Sequence, residues 1–248
     1  MRHNGSFLYP RQRPAPSSAK AVWGLRDAYE GLLNSEWPRP STNYAYAAQV
    51  EAYGGSGNVT SINSGTFPVN VGESIAVFVG WYSASVTVTV SDSMGNTYSS
   101  VASVSGTGPT VGQWFYTLNV GSTSSSNVVT VTFSSATSFT TAQFVRLTGG
   151  LLKQFDTSTS ANTTNTNISS PSFNTAAAGI VLAGRIGYNA QSSSSWSGSY
   201  SAINAFPTGG FLYNSTAQLT YASATSGITV TETGNSSISR VLAILALK

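Results

Sequence analysis

From residue 76 to residue 247 the chain keeps alternating between apolar and hydroxyl-bearing positions. SVTVTVSDS (85–93) sets Val86, Val88 and Val90 to one side and Ser and Thr to the other. NVVTVTF (127–133) repeats the arrangement with Val129, Val131 and Phe133. A period of two is the spacing of a strand with one dry and one wet face. Further strands are predicted at 76–81, 114–119, 142–147, 179–185, 217–222, 229–232 and 241–247. The last, VLAILAL, has no polar position, which predicts a strand buried on both faces. Turn signals separate the strands: Asp92-Ser-Met-Gly-Asn96, Gly106-Thr-Gly-Pro109, Gly149-Gly150, Gly209-Gly210 and Thr233-Gly-Asn235. The pattern predicts an all-β fold, an antiparallel β-sandwich that is jelly-roll-like or Ig-like. Residues 157–170, rich in Ser, Thr and Asn, read as a long loop or a seam. Neither side of that seam repeats the other in sequence, so 41–248 is predicted to be one β-sandwich body with a long crossover, with two tandem sandwiches, about 45–150 and 165–248, as the alternative.

The N-terminal stretch has another period. Val22, Leu25, Tyr29 and Leu32 form a single stripe at helical spacing, Ser17 or Ser18 can cap it, and Pro38 and Pro40 end it. This predicts one short amphipathic helix, marginal in water unless its stripe docks on something. Ahead of it, Pro10, Pro14 and Pro16 predict an extended arm. Residues 1–40 are therefore separated from the body as arm and helix.

Charge sharpens that division. Only 8% of residues are charged and the net charge is +3. Residues 1–40 carry six basic and three acidic side chains, while 41–248 carries five of each, so the excess lies wholly in the arm. Arg11 and Arg13 stand alone among prolines, without the interleaved aromatics of a nucleic-acid face, so no nucleic-acid binding is expected. No apolar leader region is predicted in 1–18, and the longest apolar run is far too short to span a bilayer, so no membrane insertion is expected. Without cysteine there is no disulfide framework or thiolate metal site.

Candidate chemistry is sparse. The single histidine, His3, lies in the arm, and the body's acids Glu51, Glu73, Asp92, Asp156 and Glu232 stand in no motif. No catalytic, cofactor-binding or metal-binding residue is expected. Asp92 reads as the anchor of an Asx turn, with a Ca²⁺ ligand role beside Asn96 as the alternative. Trp81 and Trp114 lie in strand patterns and are expected in the core. The segment 191–214 is polar and glycine-broken and carries Trp196, Tyr200, Phe206, Phe211 and Tyr213. Such aromatics suit a ligand-binding loop, or the anchoring of that loop.

VWGLRDAYEGLLNSEWP resembles the short N-terminal peptide, VW-x-L-x-D-x-Y followed by WP, of many tailed-bacteriophage virion proteins. The body, through VSDSMGNTYSSV, QWFYTLNVGSTSSSNVVTVTFSS and VLAILALK, is similar to a group of phage and bacterial β-sandwich proteins. The resemblance implies a non-enzymatic virion structural protein, made in the bacterial cytoplasm and attached through residues 1–40 to other virion proteins. Phe7, Leu8, Tyr9, Trp23, Leu25, Tyr29, Leu32 and Trp37 would then be the apolar anchors. The favoured place is a tail fibre or appendage that touches host-surface glycans. A capsid decoration protein is the alternative, and a glycan-active depolymerase is the third reading. Thr- and Val-rich edge strands also predict a homo-oligomer.

Overall fold

The computed structural model describes residues 45–54, 57–148, 152, 154–188, 194–208, 212–234 and 239–248. The arm, the helix and the anchors Phe7, Leu8, Tyr9, Trp23, Leu25, Tyr29, Leu32 and Trp37 lie outside the described residues. Every regular element among those described is a β-strand.

The first part of the chain forms β1 (Ala45–Tyr53), β2 (Val59–Asn63), β3 (Ser74–Tyr82), β4 (Val88–Asp92), β5 (Ser99–Ser100), β6 (Val104–Ser105), β7 (Thr110–Thr117), β8 (Val129–Thr137) and β9 (Thr141–Thr148). The second forms β10 (Phe155–Thr163), β11 (Asn167–Ser169), β12 (Phe173–Thr175), β13 (Gly179–Tyr188), β14 (Ser194–Trp196), β15 (Ser201–Thr208), β16 (Leu212–Tyr221), β17 (Thr225–Ile228), β18 (Thr231–Gly234) and β19 (Arg240–Leu247).

Strand order shows a repeat that the residues hide. The first half has a large sheet β1-β9-β3-β7-β5, with β6 also beside β7, and a small sheet β2-β8-β4. The second has β10-β19-β13-β16-β15 and β11-β18-β14, the same order strand for strand. Even the small β12–β17 pair has a counterpart, the isolated bridge Val69–Ser124. One short motif marks the equivalence: Ile62-Asn-Ser64-Gly-Thr-Phe67 and Ile168-Ser-Ser170-Pro-Ser-Phe173. Ser64 N–H donates to Val129 O and Val129 N–H donates back to Ser64 Oγ; Ser170 and Val230 make the same pair of bonds. Elsewhere the halves share only the alternation that any half-buried strand requires, so the sequence shows no repeat.

Residues 157–170, predicted as a loop or seam, form most of β10 and all of β11, so the loop reading is corrected. β10 pairs with β19 alone, as an edge. An edge strand with one wet face needs no apolar run, and Ser and Thr suffice. The segment 191–214 likewise supplies β14, β15 and the start of β16, where a loop was predicted.

Packing explains which runs are apolar. Ile75, Val77 and Val79 of β3 face the small sheet of their own half, with Phe144, Val129, Val131 and Phe133. Val181 and Ala183 of β13 and Leu242, Ile244 and Ala246 of β19 do the same in the second half, with Ile168, Phe173 and Val230. The opposite faces of the two large sheets meet each other and enclose a third core of Phe78, Trp114, Val145, Leu182, Ile186, Val241 and Leu245. β19 is therefore buried at every position, as its unbroken apolar run predicts. The architecture is layered and antiparallel, consistent with the sandwich expectation, and 42–248 forms one compact unit.

β3 and β13 lie along each other in step across the third core. Phe78 sits over Gly184, Ile186 sits over Gly80, and the rings of Tyr82 and Tyr188 stack at 5.1 Å. Large meets small at the first two of these levels, which lets the two sheets approach without a void. Trp114 ties the junction by donating its indole N–H to the Ala243 carbonyl at 2.9 Å.

Candidate functional site

At one end of the second half, charge replaces core. Strand equivalence places Arg185, Glu232 and Arg240 where the first half has Val79, Val131 and Thr140. Alternation dictates that these side chains point inward: Arg185 follows Val181 and Ala183 along β13, and Arg240 precedes Leu242 and Ile244 along β19. Glu232 projects from β18, opposite Trp196 on β14. The Arg185 Nε lies 3.5 Å and the Arg240 Nη1 3.3 Å from Glu232 Oε2, and all three side chains are 0% exposed. Arg240 also donates to the Thr166 carbonyl. The Arg185 guanidinium carbon stands 5.0 Å from the centre of the Tyr213 ring, within cation–π range.

Burial governs the electrostatics. It pushes the Glu232 carboxyl above its usual range although both guanidinium groups pull it down. It lowers Arg185 to about 10, with Glu232 opposing and Arg240 adding to the fall. Arg240 is lowered for the same reason and is likewise held up by Glu232. Two cations on one anion in a dry site clamp β13, β18 and β19 together at the cost of three desolvations. The first half shows that the fold itself needs no charge there.

The aromatics predicted for a ligand loop divide among different places. Trp196 and Tyr200 are half-buried and pack on the second core, and the Tyr200 and Tyr221 hydroxyls meet at 3.2 Å. Tyr213 is buried beside Arg185. Phe206 lies on β15, and Phe211 lies outside the described residues. Sequence reasoning passed over Arg185, Glu232 and Arg240. The available signal was a charge standing inside or at the end of an apolar run, as in GIVLAGRIGY and RVLAILAL.

The Asp92 turn is an Asx anchor. Asp92 Oδ1 accepts the N–H groups of Met94 at 3.1 Å and Asn96 at 2.9 Å. Its Oδ2 accepts Asn96 Nδ2 at 2.8 Å and the Tyr98 hydroxyl at 3.1 Å. Gly95 takes the left-handed conformation (φ 76°) that closes the turn. With donors occupying both oxygens, the S-D-x-x-G-N-T-Y spacing is explained without an ion. Asp92→Ala should cost about 1–3 kcal/mol by stranding these donors. A denaturant midpoint unchanged by the substitution would contradict this assignment.

Compared with protein-family models, curated proteins and solved structures, the chain shows no significant match.

Proposed function

We propose that this chain is a non-enzymatic structural protein of a tailed-bacteriophage virion, a tail-associated fibre or appendage anchored through residues 1–40. In this reading its jelly-roll-like β-sandwich body is displayed outward, touches host-surface glycans and assembles as a homo-oligomer. The observation that carries the reading is the division of the chain after Ser41. The VWGLRDAYEGLLNSEWP peptide falls wholly on one side of it and the layered β body wholly on the other. An attachment peptide that binds a partner's groove is expected to be a segment distinct from the module it carries and to be ordered on binding. The body's chemistry agrees with a display role. Its charges are few, and Glu73–Arg146, Asp156–Lys248 and the Arg185–Glu232–Arg240 cluster are paired internally.

Removal of residues 1–40 should leave a folded body that no longer joins particles. Circular dichroism would establish the folding, and sedimentation of purified particles the incorporation. A truncated chain that still co-sediments with particles at wild-type level would refute the attachment role.

A further inference from the structure

Both large sheets end in edge strands, and the edges are not alike. In the first half β5 and β6 are cut to two residues each, and β1 is broken by a register shift between Tyr46 and Ala48 and carries Glu51. In the second half β15 is interrupted by a shift between Ala202 and Asn204 and includes Pro207, which has no N–H to offer. The outer strands of the small sheets, β2, β4, β11 and β14, run only three to five residues. Shortness, bulges, proline and charge are the devices that keep a sheet edge from pairing with another chain. β10 has none of them over 157–163, TSTSANT. Its one register shift, between Phe155 and Thr157, and its one charge, Asp156, both precede that run. We propose that β10 pairs with β10 of a second copy of this chain, antiparallel and centred on Ser160, joining the two five-stranded sheets into one.

The pairing rests on the homo-oligomeric assembly proposed above and names the surface that makes it. β19 occupies one side of β10, so alternate residues of 157–163 turn their N–H and C=O groups the other way, and among the described residues no strand takes them up. Asp156 is engaged within its own chain, by Lys248 Nζ at 3.0 Å and the Ala176 N–H at 2.8 Å. Ser158, Ser160 and Asn162 stand opposite Leu245, Ala243 and Val241 of β19, on the side of the third core, yet they are exposed. The first half stops short there, since its outer strands β5 and β6 are so brief. Asn162 Nδ2 reaches the Ser105 carbonyl of β6 at 3.0 Å, and beyond it Ser158 and Ser160 face solvent. A further strand can therefore lie alongside β10.

An interface between identical copies about a two-fold axis must be self-complementary. With Ser160 on the axis, Thr157 stands opposite Thr163 of the other copy, Ser158 opposite Asn162 and Thr159 opposite Ala161. Every position in the run is small and uncharged, so no like charges are set together, and hydroxyl-bearing pairs of this kind bond across strands. Moving the centre toward Phe155 would bring Asp156 into the paired run, and moving it toward Thr163 would shorten the overlap. The run supplies about six main-chain hydrogen bonds between the copies. Each copy has one β10, so the pairing closes at a dimer.

The chain contains no cysteine, so a single introduced thiol can cross-link only to its own copy. Opposed residues of an antiparallel pair have Cα atoms about 4.5–5.5 Å apart, within reach of a disulfide. Full-length Ser160→Cys, mildly oxidised, should run as a covalent dimer on a non-reducing gel. Ser158→Cys should not, because its two copies stand four residues apart along the paired strands, about 13 Å. Ser158→Cys combined with Asn162→Cys should cross-link again. Analytical ultracentrifugation of the full-length wild type should show the same dimer without a covalent bond. A wild type that oligomerises while Ser160→Cys fails to cross-link would overturn the β10 pairing alone and leave homo-oligomeric assembly standing. Equal cross-linking of Ser158→Cys and Ser160→Cys would overturn the pairing in the same way. A wild type that sediments as a monomer at every concentration would overturn the pairing and the homo-oligomer together.

Discussion

Glu232→Ala should be among the most damaging single substitutions in the body, costing about 3–5 kcal/mol and lowering the unfolding midpoint by roughly 10 °C. The substitution removes the Glu232 carboxylate that lies between Arg185 and Arg240 and takes its attraction from two like charges in a site with no solvent access. Removing all three charges should do far less harm. A triple variant, Arg185→Met, Glu232→Leu and Arg240→Met, conserves volume and restores the apolar character that Val79 and Val131 provide in the equivalent place. It is expected to be at least as stable as the wild type minus a small repacking cost. Urea unfolding of the two variants side by side decides the matter. If the triple variant is as crippled as Glu232→Ala, the cluster is required by the second half itself, and the analogy with the first half fails.

The other large effect is expected at Gly184. A Cβ placed there would stand 2.5 Å from the Phe78 ring, well inside van der Waals contact, so neither sheet can accommodate it without moving. Gly184→Val should cost several kcal/mol through overpacking, about the upper end of what inserted methyls do in a tight core. The cause is one named contact, so it is open to rescue. Phe78→Ala alone removes a buried ring and should cost about 3–5 kcal/mol. Combined with Gly184→Val it should cost clearly less than the sum, since each change makes room for the other. Strict additivity in that double-mutant cycle would show that the sheets do not meet through this pair.

These two sites also show what the sequence could and could not disclose. VLAILAL predicts a strand buried on both faces because only a strand lying between two cores can be apolar throughout, and β19 is such a strand. SVTVTV and NVVTVTF were equally readable, since β4 has one half-buried and one exposed face and β8 buries Val129, Val131 and Phe133. β10 and β15 were not, because an edge strand is released from the hydrophobic requirement and its Ser, Thr and Asn then look like a loop. The paired halves were hidden for a similar reason. Identical strand order needs only that dry positions recur, and Val, Ile, Leu, Phe and Ala are interchangeable there as long as volumes fit across the junction. Phe78 against Gly184, and Gly80 against Ile186, are equivalent positions made deliberately unlike by packing, so alignment of the halves finds little. The buried charges escaped for want of a partner in sequence: Arg185, Glu232 and Arg240 come from three strands that meet only when folded. The five aromatics of 191–214 had a strong compositional signal, but burial of Tyr213 depends on the pairing of β16 with β13, which composition does not encode.

The functional proposal rests on where the protein resides, and that is directly observable. Antibody raised against the body and visualised with gold on purified, intact particles should label the tail, with no label on particles carrying the chain that lacks residues 1–40. Label spread over the head would contradict the tail assignment and favour decoration of the capsid lattice. Particles that carry no label at all, with the protein remaining in the soluble lysate, would contradict the virion role itself.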